Sequence, residues 1–160
     1  IITITPFAVH IYDDGFSGAY NAYRPLISDS KVMAAINAVQ PMAYNDWVGG
    51  CDPTEWSSSQ CENGSQEYLE RVYENYANFM SDNGIDPSQK LILGMLSTES
   101  SGVAGHDTDN AENKAAVQCA LGNKTSCDEE DIPGFGLRGV MTWSVNWDRS
   151  ENGGFDENMQ

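Results

Sequence analysis

Apolar residues along this chain follow two periods in turn: short runs of branched or contiguous apolar side chains, and longer stretches where they recur every three or four positions. Ile1 to Thr5 is β-branched throughout and stops at Pro6, which has no N–H to give to a ladder, so it reads as a strand. A polar, aromatic loop through Tyr12, Asp13, Asp14, Gly15 and Tyr20 follows. Pro25 to Ala35 has a helical pattern, with Ser28, Asp29 and Ser30 placed to interrupt it as a cap or turn. Ile36 to Met42 is the second strand despite Pro41, and Trp47 to Ser65 a long loop. Glu67 to Asn83 is the clearest helix, because Leu69, Val72, Tyr73, Tyr76 and Phe79 or Met80 share one face. Ser65 is its N-cap and Gly84 its stop. After a turn at Asp86-Pro87, the unbroken run Leu91 to Leu96 has the character of a parallel strand covered on both faces. A polar loop over residues 97–110, a helix over Ala111 to Leu121, an acidic loop over Asn123 to Gly136 and a last strand from Gly139 to Ser144 complete the order. Strands alternating with helices predict βαβ units in a parallel sheet, an α/β fold with residues 1–160 as one unit.

Composition narrows the partners. The 160 residues, 40% apolar, are enough for a single core. Eight basic against 24 acidic residues give a net charge of -16, so nucleic acid and anionic membranes would be repelled and a neutral ligand suits the chain better. No apolar run approaches the roughly 18 residues of a membrane helix. The four cysteines form two local pairs, Cys51 with Cys61 and Cys119 with Cys127, each in loop-like surroundings. Local disulfides and an oxidising, extracellular compartment follow, although spacing alone leaves the connectivity open. Two glycosylation acceptors, at Asn63 and Asn123, lie beside these pairs. His106, Asp107, Asp109 and Glu112 lack the glycine and distal glutamate of a calcium loop, and we assign neither metal nor cofactor. Because the chain opens directly on a strand, we expect an upstream portion of the same fold.

In a parallel sheet, ligands sit where strands end in chain direction. Those positions here are polar and aromatic: Tyr44, Asn45, Asp46 and Trp47 after the second strand; Ser97, Thr98 and Glu99 after the third; Trp143, Ser144, Asn146, Trp147 and Asp148 after the fourth. Tyr and Trp combine a flat apolar face with a polar edge, which matches the CH-rich face and hydroxyl rim of a pyranose. His10 has no Ser or Cys partner and reads as structural, and the Tyr68, Tyr73 and Tyr76 stripe as core.

The succession Ile-Thr-Pro-Phe-Ala, Met-Ala-Tyr-Asn-Asp, Leu-Ile-Leu-Gly-Met and Arg-Gly-Val-Met-Thr-Trp-Ser-Val-Asn-Trp-Asp resembles strands five to eight of a glycoside hydrolase family 18 barrel, over essentially the whole chain. The resemblance implies the C-terminal half of a TIM (β/α)8 barrel and a secreted, chitinase-like enzyme. It places Tyr44 and Asn45 in the catalytic role of holding the substrate's acetamido group, Met42 and Asp46 beside them, and Trp143 beneath the sugar being cleaved. The implied chemistry is retaining hydrolysis of β-1,4-linked N-acetylglucosamine, in which the substrate's own acetamido oxygen attacks and a Glu protonates the leaving oxygen. That Glu belongs to an Asp-x-x-Asp-x-Asp-x-Glu motif, which is not in these residues, so it is expected upstream and the isolated chain is expected to be inactive. Thr5-Pro6-Phe7 also departs from the Ala-Pro-Glu common at the end of strand five.

Four βα units cannot close a barrel, and a half-barrel leaves the inner strand faces and one sheet edge exposed. The partners implied are therefore chitin or N-acetylglucosamine oligomers and an N-terminal half-barrel, in the same parent chain or a companion. Two alternatives stay open: a non-catalytic chitinase-like carbohydrate-binding protein, and an endo-β-N-acetylglucosaminidase acting on N-glycans.

Overall fold

The structure, a computed structural model, describes residues 1–11, 22–45, 64–97, 110–128, 131–143 and 149. Its described strands are β1 (Thr3–Ile4), β2 (Ala38–Val39), β3 (Ile92–Leu96) and β4 (Gly139–Trp143); its helices are α1 (Arg24–Ser28), α2 (Ser30–Ala35), α3 (Gln66–Asp82), α4 (Pro87–Lys90) and α5 (Asn110–Ala120). Short 3-10 turns occupy Ala8–Ile11 and Lys124–Ser126.

Among the described residues every strand pairing is parallel. β1 pairs with β2 as Thr3 with Ala38 and Ile4 with Val39; β3 pairs with β4 from Ile92 with Gly139 to Leu96 with Trp143. Single parallel bridges, Val39 with Leu91 and Met42 with Gly94, join the two pairs, so the strands lie side by side in chain order. The first two strands are shorter than their β-branched runs suggest. Beyond the formal strand, the carbonyls of Ile2 and Pro6 still accept from Asn37 and Met42 N–H groups at 2.7 and 2.9 Å, so pairing continues with irregular spacing. Ile1 itself is wholly exposed.

Helix ends follow local chemistry. The Ser65 hydroxyl accepts the Tyr68 N–H at the start of α3. At its end Gly84, at φ 74°, lets its own N–H reach the Ser81 carbonyl and the Ile85 N–H reach Met80, a left-handed stop that a side chain would strain. Asp29 divides the helical stretch after Pro25, its carboxylate accepting from Lys31 and Val32 N–H, so α1 ends and α2 begins there. Asp86 caps α4 in the same way, with Pro87 in the first turn, so the turn expected at this dipeptide continues as one helical turn.

One core lies on one face of the sheet. Val39, Ala43, Leu91, Leu93 and Met95 join Leu69, Val72, Tyr73, Tyr76, Ala77 and Met80 of α3 and Ala116, Cys119 and Ala120 of α5. Phe79 only half enters it, with the Arg24 guanidinium 4.4 Å from its ring centre. Two buried tyrosines of α3 donate their hydroxyls to main-chain carbonyls, Tyr73 to Ala120 at 3.1 Å and Tyr76 to Phe7 at 2.7 Å. Burial pushes the Tyr73 phenol up to about 12.

Cys119 and Cys127 form the second of the two expected local disulfides, while Cys51 and Cys61 lie outside the described residues. The buried Glu70 carboxylate ties the disulfide loop to α3, accepting the Asp128 N–H on both oxygens at 3.1 and 3.2 Å and the Gln66 amide at 2.7 Å.

Gly94 makes the join between the strand pairs possible. Its N–H donates to Pro41 O at 2.9 Å and its carbonyl accepts from Ala43 N–H at 2.9 Å. A Cβ there would lie 2.8 Å from that same Pro41 oxygen and 2.9 Å from Met141 Cε. We expect Gly94→Ala to lower unfolding free energy by about 1 to 3 kcal/mol in denaturant titration, because backbone has to move to admit the methyl. An unchanged midpoint would mean the strands are not held this closely.

Candidate functional site

Alternation along the strands separates two sets of side chains. Among the described residues, the buried Ala38, Tyr44 and Leu96 stand outside the core cluster, and each sits at a position of opposite parity to the core-facing strand residues. The second face is therefore composed of Thr3, Thr5 and Phe7; Ala38, Gln40, Met42 and Tyr44; Ile92, Gly94 and Leu96; Gly139, Met141 and Trp143.

Two rows cross this face at the C-terminal ends of the strands. The inner row is fixed by pairing: Phe7 bridges Met42, Met42 bridges Gly94, and Gly94 pairs with Met141. The outer row lies two residues further along each strand: Tyr44, then Leu96, then its paired neighbour Trp143. Tyr44 and Trp143 are separated by two strand spacings, about 10 Å between backbones. Three parallel tripeptides carry the arrangement, Met42-Ala43-Tyr44, Gly94-Met95-Leu96 and Met141-Thr142-Trp143.

The two aromatic residues differ in environment. Tyr44 is 4% exposed and Trp143 is 54% exposed. Burial raises the Tyr44 phenol above its ordinary range, so it stays protonated and able to donate throughout the neutral range. Its hydroxyl bonds to no described residue. Asn45 follows with φ 55°, a left-handed conformation that Asn tolerates better than most side chains, and this bends the chain away immediately beyond Tyr44. Met42 and Met141 are partly buried, and the Met141 methyl occupies the space that a side chain on Gly94 would fill.

The structure thus brings Met42, Tyr44, Asn45 and Trp143 to one end of the sheet. Asp46 lies outside the described residues, as do Trp47, Trp56, Thr98, Glu99, Ser144, Asn146, Trp147 and Asp148. Ser97 is buried at the end of β3, with no hydrogen-bond partner for its Oγ among the described residues. Its parity puts it on the core side. His10 is tied into the fold: its Nδ1 accepts the Phe7 N–H at 3.1 Å and its ring stacks on Tyr23. Of the acidic stretch considered for metal, His106, Asp107 and Asp109 lie outside the described residues, and Glu112 accepts the Gln66 N–H at the start of α3. Glu70, Cys119 and Cys127 cluster closely, but both sulfurs are spent on the disulfide. Among the described residues no helix is long and apolar enough to cross a membrane.

Motif reading missed Met141, Leu96 and Gly94 as parts of this surface. Counting back two residues from Trp143, as from Tyr44 to Met42, is the signal that finds Met141.

No family model matches the chain, and no curated protein matches it. Among solved structures, the fold is similar to the crystal structure of a "putative Chitinase A" from Streptomyces coelicolor, with a TM-score of 0.69 and 21% identity over 99% of this chain. The chain spans 49% of that structure, about half of its length. The likeness establishes a chitinase-like α/β fold with parallel strands.

The backbone at Asn45 makes a separate expectation. Asn45→Gly should keep the unfolding free energy within about 1 kcal/mol, since Gly accepts the same conformation, whereas Asn45→Val should cost roughly 1 to 2 kcal/mol more. Equal losses in thermal or denaturant unfolding would show that the bend is not held in the left-handed region.

Proposed function

We propose that these residues are strands five to eight of a glycoside hydrolase family 18 barrel, the C-terminal half of a secreted chitinase-type enzyme. The observation that carries this reading is the outer row, in which a buried, protonated phenol and an open indole face the same side of the sheet at its ligand-binding end. A phenol donor beside an apolar, thioether-lined floor and a flat aromatic wall suits a ring with an apolar face and hydrogen-bonding substituents. The similarity to a structure named as a chitinase, and the share of it that this chain spans, support the assignment.

On this reading Trp143 stacks under the sugar being cleaved and Met42 packs against its acetamido group. Tyr44 donates to the acetamido oxygen, with Asn45 and Asp46 orienting the group. The acetamido oxygen attacks the anomeric carbon, giving a cyclic oxazolinium-type intermediate, while a Glu from the other half of the barrel protonates the leaving oxygen. Water then opens the intermediate with retention. A fixed donor at the acetamido oxygen aims it at the anomeric carbon, and misplacing such a reacting atom by about 1 Å costs ~10²-fold in rate. The substrates are chitin or N-acetylglucosamine oligomers, and the disulfide suits an extracellular setting.

Calorimetric titration with N-acetylglucosamine oligomers, paired with a turnover assay on the parent protein containing the complete barrel, tests the proposal. Trp143→Ala should weaken binding about tenfold or more. Tyr44→Phe, which removes the group that orients the attacking oxygen, should lower kcat by ~10²-fold with a smaller effect on binding. Wild-type protein that binds no oligomer would overturn the reading, and binding without any turnover by the complete barrel would leave a carbohydrate-binding protein only.

A further inference from the structure

The end of α5 turns the chain outward. Gly122, at φ 96°, takes the left-handed conformation that stops the helix, and its N–H and that of Asn123 reach back to the Cys119 and Gln118 carbonyls at 2.8 and 2.9 Å. Residues 121–125 are all exposed, and within them Asn123-Lys124-Thr125 is an N-glycosylation acceptor with no proline in its middle position. The acceptor is anchored on both sides. Cys119 and Cys127 close a short loop around it, and Glu70 fastens Asp128 to α3. Inside the loop the Thr125 hydroxyl donates to Asn123 Oδ1 at 2.8 Å, and Asn123 Nδ2 donates to Ser126 Oγ at 2.9 Å. Nδ2 carries two hydrogens. A sugar replaces one of them and the other keeps the bond to Ser126, so the turn admits the modification without rearranging.

A second observation marks the same place. Leu121 and Phe135 are apolar yet 54% and 43% exposed. The Gly136 N–H donates to Ala120 O at 3.0 Å, and a Cβ on Gly134 would lie 2.9 Å from Gly122 Cα, so the backbone of Phe135 stands opposite that of Leu121, beside the acceptor. Lys124 ties the two segments together by donating to the Ile132 carbonyl. This apolar pair lies at the end of the helical layer, on neither a strand edge nor the inner face of the sheet. It is also near the strand starts, where the Arg138 N–H meets Leu91 O at 2.8 Å, and so at the opposite end of the strands from Tyr44 and Trp143.

We propose that Asn123 is N-glycosylated during secretion and that the first sugars of the glycan lie over Leu121 and Phe135. The co-reactant is a lipid pyrophosphate-linked oligosaccharide. Asn123 Nδ2 forms a bond to C1 of its reducing-end sugar and gives up one proton, while the bond from C1 to the pyrophosphate breaks and the lipid pyrophosphate leaves with the electron pair. The CH-rich face of a sugar matches the Phe135 ring, and a bulky, soluble cover removes an exposed apolar patch from contact with other molecules. The inference shares the extracellular compartment with the chitinase-type reading and does not involve its ligand surface.

The test is peptide mass spectrometry of the parent protein isolated from its own source and treated with peptide-N-glycosidase in heavy-oxygen water, which labels each residue that carried a glycan. The label should appear at Asn123; an unlabelled Asn123 overturns the proposal. In a glycosylating secretory host, Asn123→Gln and Thr125→Ala should each abolish the glycopeptide and Thr125→Ser should keep it, and a glycopeptide that survives Asn123→Gln assigns the glycan elsewhere and also overturns it. Asn123→Gln should raise the self-associated fraction in sedimentation by about twofold or more, and adding Leu121→Ser with Phe135→Ser should return it to the wild-type value. Glycan at Asn123 with no change in self-association on its loss overturns the cover over Leu121 and Phe135. Matched unfolding midpoints check that the variants fold. Binding of N-acetylglucosamine oligomers should be the same with and without the glycan, and if wild type binds none, the ligand-surface reading fails while the label at Asn123 stands.

Discussion

The absence of a side chain at residue 94 governs this molecule. β1 with β2 and β3 with β4 are separate ladders, joined among the described residues by single-residue bridges, and the one nearer the C-terminal strand ends is Met42 with Gly94. Two main-chain hydrogen bonds at 2.9 Å close it, and the Pro41 oxygen that receives one of them lies where a Cβ would be. This contact sets the register between the two halves of the sheet. A slip of one residue would turn Tyr44 towards the core and Ala43 away from it. The alignment of Tyr44 with Leu96 and Trp143 is thus a consequence of one close backbone approach.

Four of the chain's eight cations serve the backbone. Arg24 donates to Ile11 O, Lys90 to Met33 and Ile36 O, Lys124 to Ile132 O, and Arg138 to Asn37 and Gln89 O. These carbonyls belong to helix ends and loops that lack regular partners, where a cation also complements the helix dipole. Lys90 bonds the last turn of α2 from the far end of α4, and Arg138 joins the approaches to β2, β3 and β4. Glu70 does the converse for the N–H of Asp128. Strand starts and loops are fixed by charge-assisted bonds, which leaves the opposite ends of the strands to carry a surface of aromatic and thioether groups.

Much of this was legible in the sequence. Ser65 and Gly84 marked the limits of α3 because cap chemistry is local, and the run Leu91 to Leu96 stood out because β3 is central and covered. The division at Asp29 was visible as a possible interruption for the same reason. What escaped depended on contacts between distant residues. The irregular pairing after Thr5 and Ile36 shortens strands that β-branching alone would extend. One helical turn at Pro87–Lys90 is too short for periodicity to register. The stacking of His10 on Tyr23 unites residues separated by a loop, and no spacing rule connects them. Met42, Tyr44, Asn45 and Trp143 could be named from motif resemblance, but their common face follows from parity and register, which only the pairing around Gly94 supplies.

The central claim is that this register places Tyr44 and Trp143 on one ligand. A double-mutant cycle for binding of an N-acetylglucosamine oligomer, with Tyr44→Phe, Trp143→Ala and the pair, measures it directly. Two residues whose backbones lie about 10 Å apart and whose side chains share a bound ring should show a coupling of about 0.5 kcal/mol or more. Single-variant effects that sum to the double-variant effect within about 0.3 kcal/mol would mean the two residues do not meet at a common ligand, and would contradict the account.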